Sequence, residues 1–306
     1  MVPTQEHDDH TASRCEHRVP STGLSLAARE YGEARGGGPH VVLVHGYPDS
    51  QDMWDPVVER LVGAGMHVVT YDTRGAGASD VPDRTEGYRS ELLVDDLASV
   101  LDATVPAGEP AHLVGHDWGS VQLWEAVLDE SEDPRLRGRI ASFTSVSGPA
   151  MDHIDHLLRH PRGRVLRLLR QAGHSWYVAA FQVPVLPELA WRLGHRPLGA
   201  LAVRLDGHGG NFWDGDLGHN AANGVNLYRA AFRHRRRRSD LRRTDVPVLV
   251  VAPRRDPFLT PVTTEDLHRL CSDVTLVRPD TGHWLPRTRP DLLADLVRDH
   301  VTAHSG

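Results

Sequence analysis

Short apolar runs alternate along the chain with longer stretches in which apolar residues recur every three or four positions. The short runs are typical of strands buried in a parallel sheet, and the longer stretches are typical of the helices that cover it. The predicted strands are residues 40–45, 67–72, 111–116, 140–147, 246–253 and 274–279. The predicted helices are residues 90–103, 118–128 and 290–302, and a hairpin over residues 17–31, turning near 21–23, precedes the first strand. The pattern therefore predicts an α/β fold.

The regular alternation stops at Gly148 and resumes at Val246. The residues between these points have helical periodicity and no convincing strand pattern. The helical stretches are residues 153–172, 187–204 and 220–232. The simplest interpretation is an all-helical cap, residues 148–243, inserted into an α/β core of residues 16–147 and 244–306. A chain of this length can accommodate such an insertion within one large domain.

The composition of the chain limits which kinds of partner it is expected to bind. The formal net charge is -7, so the chain as a whole has no electrostatic attraction to nucleic acid or to an anionic membrane. No apolar run reaches the ~20 residues of a membrane span. We therefore expect neither nucleic acid nor a membrane as a partner. The very basic residues 233–243 are interpreted as a solvated linker between cap and core, with a nucleic-acid patch as the alternative.

The beginning of the chain is acidic and contains several histidines. Residues 1–15 lack the apolar segment of a signal peptide, and we expect a disordered tail on a cytoplasmic protein. The same lack of apolar neighbours argues against an ordered metal site at these histidines. Cys15 and Cys271 are the only cysteines and lack the spacing of metal ligands. We expect no metal and no cofactor.

The pentapeptide GHDWG, residues 115–119, follows an apolar strand and opens a predicted helix. This is the context of the G-x-S-x-G nucleophile elbow, in which glycines permit a tight turn that exposes the middle side chain. Here the middle residue is Asp117. A carboxylate with an ordinary pKa of about 3.9 is ionised at neutral pH and needs no base to become a nucleophile. It suits attack on an sp³ carbon, which yields an alkyl-enzyme ester. The alternative is an acidic N-cap residue in an ordinary strand-to-helix turn.

A second loop, His45-Gly46-Tyr47-Pro48, follows the first long strand. In a fold built around such an elbow, this loop faces the nucleophile. The backbone N–H groups of Tyr47 and Trp118 are therefore candidate donors to an oxyanion. We expect the Tyr47–Pro48 peptide bond to be cis, because X–Pro bonds adopt this form at modest cost. The alternative is a plain turn.

The candidate acid and base follow later strands. Asp256 comes after the strand at 246–253, and His283 comes after the strand at 274–279. The chain order Asp117, Asp256, His283 is the order of nucleophile, acid and base in folds with a nucleophile elbow. The acid would orient the histidine and stabilise its imidazolium. Asp152 is a lesser alternative for the acid.

From about Leu24 to the C-terminus, the sequence resembles the epoxide hydrolases of the α/β-hydrolase superfamily. The resemblance implies a mostly parallel central sheet flanked by helices, with an inserted helical cap. The motifs of the core, residues 45–48, 115–119 and 282–284, are shared with haloalkane dehalogenases. Residues 142–149 resemble the hydrolase half of bacterial proteins fused to a short-chain dehydrogenase, and with the chain ending at Gly306 we expect no such partner domain.

Two segments of the cap carry the closer resemblance. Residues 175–184 and 226–229 are similar to the two cap-tyrosine segments of epoxide hydrolases, and Tyr177 and Tyr228 fall on the tyrosines. In that family the two phenols hydrogen-bond the epoxide oxygen. The resemblance implies a small hydrophobic epoxide and water as reactants, an ester on Asp117, and hydrolysis by water that His283 activates. The alternative is that both are half-buried tyrosines of the cap core.

The remaining expectations concern rivals and substrate contacts. A haloalkane dehalogenase would share Asp117 but needs an Asn or second Trp as a halide donor, and Tyr47 occupies the loop position that would supply the Asn. A non-catalytic protein that binds a hydrophobic ligand is the second rival. The candidate substrate contacts are Trp176, Phe181 and Trp284, with Trp191 and Trp213 as further candidates. A biosynthetic or detoxifying role and the oligomeric state, with a homodimer as one option, stay open.

Overall fold

The computed structural model describes residues 14–213, 215–234 and 240–305. Within these residues, eight strands form one sheet in the order β1-β2-β4-β3-β5-β6-β7-β8. The strands are β1 (Arg14–Ser21), β2 (Leu24–Tyr31), β3 (His40–Val44), β4 (His67–Tyr71), β5 (Ala111–His116), β6 (Ile140–Val146), β7 (Val248–Val251) and β8 (Val274–Val277). Pairing is antiparallel at β1–β2 and β2–β4 and parallel from β4 onward.

Helices cover both faces of this sheet. The described residues form α1 (Asp55–Gly63), α2 (Ser90–Thr104), α3 (Trp118–Asp129), α4 (Met151–Arg159), α5 (Val165–His174), α6 (Trp176–Ala180), α7 (Leu186–Leu205), α8 (Leu217–Arg233), α9 (Leu285–Thr288) and α10 (Pro290–Ala303). In β3, Val42 and Val44 pack in the layer that contains α2 and α3, whereas Val41 and Leu43 pack in the layer of α1 and α10. Because both faces are buried, strands such as β3 are continuous apolar runs in the sequence. The predicted fold class is confirmed.

Some boundaries differ from the prediction. The stretch predicted as one helix over 153–172 forms two, α4 and α5, because Pro161 lacks an N–H and Gly163 adopts a φ of 75° between them. Strand β7 is shorter than predicted and lies between Pro247 and Pro253, neither of which can donate to a ladder. Strand β1 begins at Arg14, inside the range predicted as a tail. Residues 1–13 lie outside the described part of the chain.

Between β6 and β7 the described residues form the five helices α4–α8 and no strand. Polar side chains of α8 bind the loops of the sheet domain: Asn220 accepts a hydrogen bond from the N–H of Gly77, and Asn223 donates one to the carbonyl of Gly75. Of the basic residues 233–243, positions 235–239 lie outside the described chain. No helix among the described residues has both the length and the apolar character to cross a membrane.

Candidate active site

The turn between β5 and α3 holds Asp117 in an unusual backbone conformation. Its φ of 50° and ψ of -117° lie outside the regions that L-residues ordinarily adopt. The turn is tight enough that a Cβ on Gly119 would lie 2.1 Å from the carbonyl oxygen of Val44. Strain of this kind is stored at functional sites, and here it presents the Asp117 side chain at the carboxyl end of the sheet.

Replacement of Gly119 by alanine tests the packing of this turn. Because the new methyl group would meet backbone rather than a side chain that can move, we expect Gly119→Ala to lower the free energy of unfolding by ~3 kcal/mol. The matched control is Gly173→Ala in α5, where a Cβ meets nothing and the helix gains up to ~1 kcal/mol. Thermal unfolding of both variants measures the difference, and equal melting temperatures would contradict the close approach.

Two backbone amides hold the Asp117 carboxylate. The N–H of Tyr47 donates to Oδ1 at 2.8 Å, and the N–H of Trp118 also donates to the carboxylate. The Tyr47–Pro48 peptide bond is cis, which confirms the prediction. The two amides predicted as oxyanion donors therefore converge on one point, the carboxylate of Asp117.

His283 lies between two carboxylates. Its Nδ1 is 2.8 Å from Oδ2 of Asp256, and its Nε2 is 3.8 Å from Oδ2 of Asp117. The other oxygen of Asp256 accepts hydrogen bonds from the N–H groups of Phe258 and Leu259, at 2.8 and 3.0 Å. These contacts leave the Asp256 carboxylate little freedom to rotate.

The alternative acid is engaged elsewhere. Oδ2 of Asp152 accepts a hydrogen bond from Nε of Arg242 at 2.6 Å, and this arginine also binds Glu125 and Asp129. Asp256, and not Asp152, is the carboxylate in hydrogen-bond contact with His283.

Burial and charge shift the pKa values of all three groups. Burial raises the pKa of Asp117 to about 6, against the opposing effects of His283 and the two amides. Burial alone would lower the pKa of His283, but Asp256 and Asp117 raise it to about 9. His283 and the loop amides more than offset burial at Asp256 and lower its pKa. At neutral pH, Asp117 is therefore a carboxylate and His283 an imidazolium.

A cavity of about 400 Å³ opens above Asp117 and His283. Tyr177 of α6 and Tyr228 of α8 both line it, with ring centroids 5.8 Å apart. Burial, together with the nearby Asp117, raises the pKa of both phenols, so both keep their protons at neutral pH. The remainder of the lining is mainly apolar: Tyr47, Pro48, Trp176, Ala180, Phe181, Val183, Leu186, Pro187, Ala190, Trp191, Leu198, Leu201, Ala202, Leu205, Phe258 and Trp284.

Most of the predicted aromatic contacts lie in this lining. Trp176, Phe181, Trp191 and Trp284 all contact the cavity. Trp213 does not line the cavity: its indole packs edge-on against Trp284, and its Nε1 donates to Asp49 at 2.8 Å. Within the described residues, no group of three or more His, Cys, Asp or Glu side chains is arranged to hold a metal ion.

Comparison with known proteins places this architecture in a family. The profile of the α/β hydrolase fold matches residues 39–290. The chain belongs to the α/β-hydrolase fold family. This α/β hydrolase is 36% identical over 299 residues to a Mycobacterium tuberculosis protein named probable oxidoreductase EphD, covering 93% of this chain and 49% of that protein. It therefore spans about half the length of that relative. It is 29% identical over 327 residues to epoxide hydrolase A of the same organism, and the match covers 94% of this chain and 97% of that protein.

Solved structures share the fold of this α/β hydrolase. An epoxide hydrolase from Vigna radiata superposes with a TM-score of 0.71 at 20% identity, covering 95% of this chain and 98% of that one. A second solved structure is a mutant epoxide hydrolase from Bacillus megaterium complexed with its product (R)-3-[1]naphthyloxy-propane-1,2-diol. It has a TM-score of 0.73 at 18% identity, and the match covers 94% of this chain and 100% of that one. At these identities the likeness shows the fold.

The structure also places residues at the site of this α/β hydrolase that the sequence did not reveal. The ring of Phe258 packs edge-on against His283, with centroids 4.9 Å apart, and contacts Tyr177. Asp206, at the end of α7, accepts hydrogen bonds from the backbone N–H groups of His283 and Trp284. A residue between the predicted cap helices thus holds the loop that carries the histidine. No local signal marks Asp206, because its partners lie about 77 residues away in sequence.

Proposed function

We propose that this α/β hydrolase is an epoxide hydrolase that opens a small hydrophobic epoxide to a vicinal diol. The observation that carries the proposal is that Asp117, His283 and two protonated phenols, Tyr177 and Tyr228, line one apolar cavity. A carboxylate can attack an epoxide carbon, and a phenol can donate to the oxygen that is released. The name of the relative epoxide hydrolase A supports the same reaction class.

In the first step, Asp117 attacks a ring carbon of the epoxide. Its Oδ1 is held by the N–H of Tyr47, and its Oδ2 lies on the side of His283, so we expect Oδ2 to attack. A carbon–oxygen bond forms to Oδ2 while the ring carbon–oxygen bond breaks. Tyr177 and Tyr228 donate hydrogen bonds to the alkoxide, which takes a proton from one of these phenols, and the phenolate recovers a proton from the imidazolium of His283 through water. The product of this step is an ester between Asp117 and the opened substrate.

In the second step, His283 acts as a base toward water. Ester formation removes the negative charge of Asp117, one of the charges that raises the pKa of His283, so the imidazolium loses its proton more readily. Nε2 then takes a proton from water, and hydroxide attacks Cγ of Asp117. The N–H groups of Tyr47 and Trp118 stabilise the oxyanion. Collapse releases the diol and restores the carboxylate.

We further propose that residues 148–243 act as a cap over a core of residues 16–147 and 244–306. The five helices α4–α8 belong to this segment. Tyr177 and Tyr228 come from the cap segment, whereas Asp117 and His283 come from the core, so the cavity lies between the two. In this arrangement the cap supplies the groups that bind the epoxide oxygen, and the core supplies the nucleophile and the base.

A panel of alkyl and aryl epoxides and of haloalkanes tests the proposed reaction. We expect the purified chain to form vicinal diols from epoxides and to release no halide, and we expect Asp117→Ala to abolish diol formation. Halide release without diol formation would instead indicate a dehalogenase that uses the same carboxylate. Tight binding of hydrophobic compounds without turnover of either class would indicate a binding protein.

Replacement of Asp256 by asparagine separates the two steps. Oδ1 of asparagine can still accept the N–H groups of Phe258 and Leu259, so we expect the fold to persist. With its oxygen so engaged, the new amide turns its NH₂ group toward His283. It cannot accept a hydrogen bond from Nδ1–H and favours the tautomer that carries its proton on Nε2. In pre-steady-state traces, ester hydrolysis should slow by ~10² to 10³-fold while ester formation changes little. Asp152→Asn is the control, and slowed ester formation with normal hydrolysis would show that Asp256 has another role.

A further inference from the structure

Exposed apolar side chains are concentrated in one part of this protein. Among the described residues, twelve of the fifteen exposed large hydrophobic side chains lie in residues 158–205, which run from the end of α4 to the end of α7. Soluble monomeric proteins rarely expose a large contiguous apolar area unless a partner covers it. The concentration therefore indicates an interaction surface on this segment.

Some of these side chains surround the entrance to the cavity. Five of them line the cavity and are 45% to 69% exposed: Trp176, Val183, Leu186, Leu201 and Leu205. Because each contacts the cavity and solvent at once, together they form the edge of the opening, which we call the cavity rim. A ligand that enters the cavity must pass between these apolar side chains.

Further exposed apolar side chains lie on two helices of the same segment. Leu166 and Leu169 are three residues apart on α5, and Leu189 and Leu193 are four apart on α7, so each pair lies on one face of its helix. Leu166 and Leu193 are the most exposed, at 82% and 78%, and do not line the cavity. The cavity therefore does not explain why these two strongly exposed positions carry apolar side chains.

The same segment is strongly cationic. Residues 159–205 contain eight arginines and a single acidic residue, Glu188, and so carry a formal net charge of +7 in a chain whose total is -7. Arg170 and Arg196 are exposed and form no ion pair with any other described residue. The expectation of no membrane partner was based on the net charge of the whole chain and on the lack of a membrane-spanning apolar run, and neither observation reveals this local concentration of positive charge.

We propose that the cavity rim and the arginine-bearing helices α5 and α7 dock on an anionic lipid surface, from which the cavity takes up a lipophilic epoxide. The second half of this statement rests on the proposed function. Apolar side chains insert at the boundary between headgroups and acyl chains, and arginines bind the lipid phosphates. The substrate class is then an epoxide dissolved in lipid, which reaches the rim without crossing water.

A second copy of the chain fits this surface less well. Self-association of one surface normally follows a two-fold axis, so each patch would meet its own copy. Two cationic surfaces, each with the exposed arginines Arg170 and Arg196, would then be brought together, and the repulsion between them opposes the gain from apolar burial. An anionic bilayer offers apolar burial and the opposite charge together.

Vesicle binding by the full chain tests the docking surface. The probes are vesicles of phosphatidylcholine alone and of phosphatidylcholine mixed with phosphatidylglycerol, with cosedimentation as the readout. We expect binding to the anionic vesicles only, weakened by salt. The pair Leu166→Ser and Leu193→Ser should reduce binding by about tenfold, and Arg170→Gln with Arg196→Gln by about fivefold per arginine.

Matched substitutions elsewhere provide the controls. Leu276→Ser removes an exposed leucine from β8, and Arg35→Gln removes an exposed arginine outside the cap segment, so both should bind like the unmodified protein. Absence of binding to anionic vesicles, or equal losses in the control variants, would overturn the proposal. A dimer in size-exclusion chromatography that the double leucine substitution converts to monomer would also overturn it, because a second copy would then cover the surface.

Turnover distinguishes failure of docking from failure of the proposed function. On a short, water-soluble epoxide without vesicles, the double leucine variant should match the unmodified protein, because neither leucine lines the cavity. On a long-chain alkyl epoxide held in anionic vesicles, its rate should fall in proportion to its binding. Vesicle binding without turnover of any epoxide would support docking and contradict the proposed function. If the vesicle-held epoxide is turned over at a rate that does not depend on vesicle binding, this result would support the proposed function and contradict docking.

Discussion

In a His283→Gln variant, ring opening should proceed and the reaction should stop at the covalent ester. Asp117 needs no base for the first step, but loss of the His283 imidazolium raises its pKa above the value of about 6 in the unmodified protein. The experiment is therefore run above neutral pH, where the carboxylate stays ionised. Glutamine cannot take a proton from water, so the second step loses its base and steady-state turnover should fall by ~10³-fold or more. The intact protein should gain one substrate mass, and the adduct should map to the peptide that contains Asp117.

Two further measurements make this result decisive. His112→Gln, a substitution of another buried histidine that lies in β5 and binds Ser142, should turn over normally and accumulate no adduct. In ¹⁸O-water under single-turnover conditions, the unmodified protein should incorporate label into the Asp117 carboxylate, while the first diol carries an oxygen from the protein. Label in the first diol with an unlabelled Asp117 would mean that water attacks the epoxide directly, with Asp117 as its base.

Loss of both phenols that line the cavity should nearly abolish epoxide turnover. Tyr177 and Tyr228 lie close together in the cavity and, in the proposed mechanism, donate to the same developing alkoxide. Either can therefore partly replace the other. We expect each Tyr-to-Phe variant to slow ring opening by about tenfold and the double variant by ~10³ to 10⁴-fold. Single-turnover ester formation measures this step without contribution from hydrolysis.

The matched control is Tyr71→Phe. Tyr71 is fully buried in β4 and does not line the cavity, and its hydroxyl has no hydrogen-bond partner among the described residues. Removal of that hydroxyl should leave ring opening unchanged. A double Tyr177/Tyr228 variant that retains normal turnover on a good epoxide substrate would show that the cavity activates the epoxide oxygen in another way.

Much of the sheet could be predicted from local pattern. Strand β5 has the predicted bounds, and β3, β4, β6 and β8 differ from prediction only at their ends. The pattern is reliable for β3, β4, β5 and β6 because both faces of these strands are buried, which requires a continuous apolar run. The nucleophile elbow could also be predicted from the sequence. Its glycines are required because neighbours such as Val44 approach the turn too closely to leave room for a side chain.

Local pattern failed where distant residues or a break decided the outcome. The apolar periodicity of α4 and α5 continues across Pro161, so the sequence pattern predicted a single helix. Helix α6 has only five residues and escaped prediction, because so short an element owes its stability to packing rather than to its own sequence. Tyr177 in that helix was identified through the resemblance of its segment, not through helical pattern.

The sequence by itself determined the fold class, the elbow with Asp117, and the order of the candidate acid and base. Each of these depends on residues that are neighbours in the chain or on a spacing that strand and helix lengths impose. Only the tertiary structure decided that Asp256 rather than Asp152 contacts His283, that Asp206 holds the histidine loop, and which apolar side chains form the cavity rim. Those outcomes depend on contacts between residues far apart in the chain, and such contacts exist only once the helices between β6 and β7 have packed against the sheet.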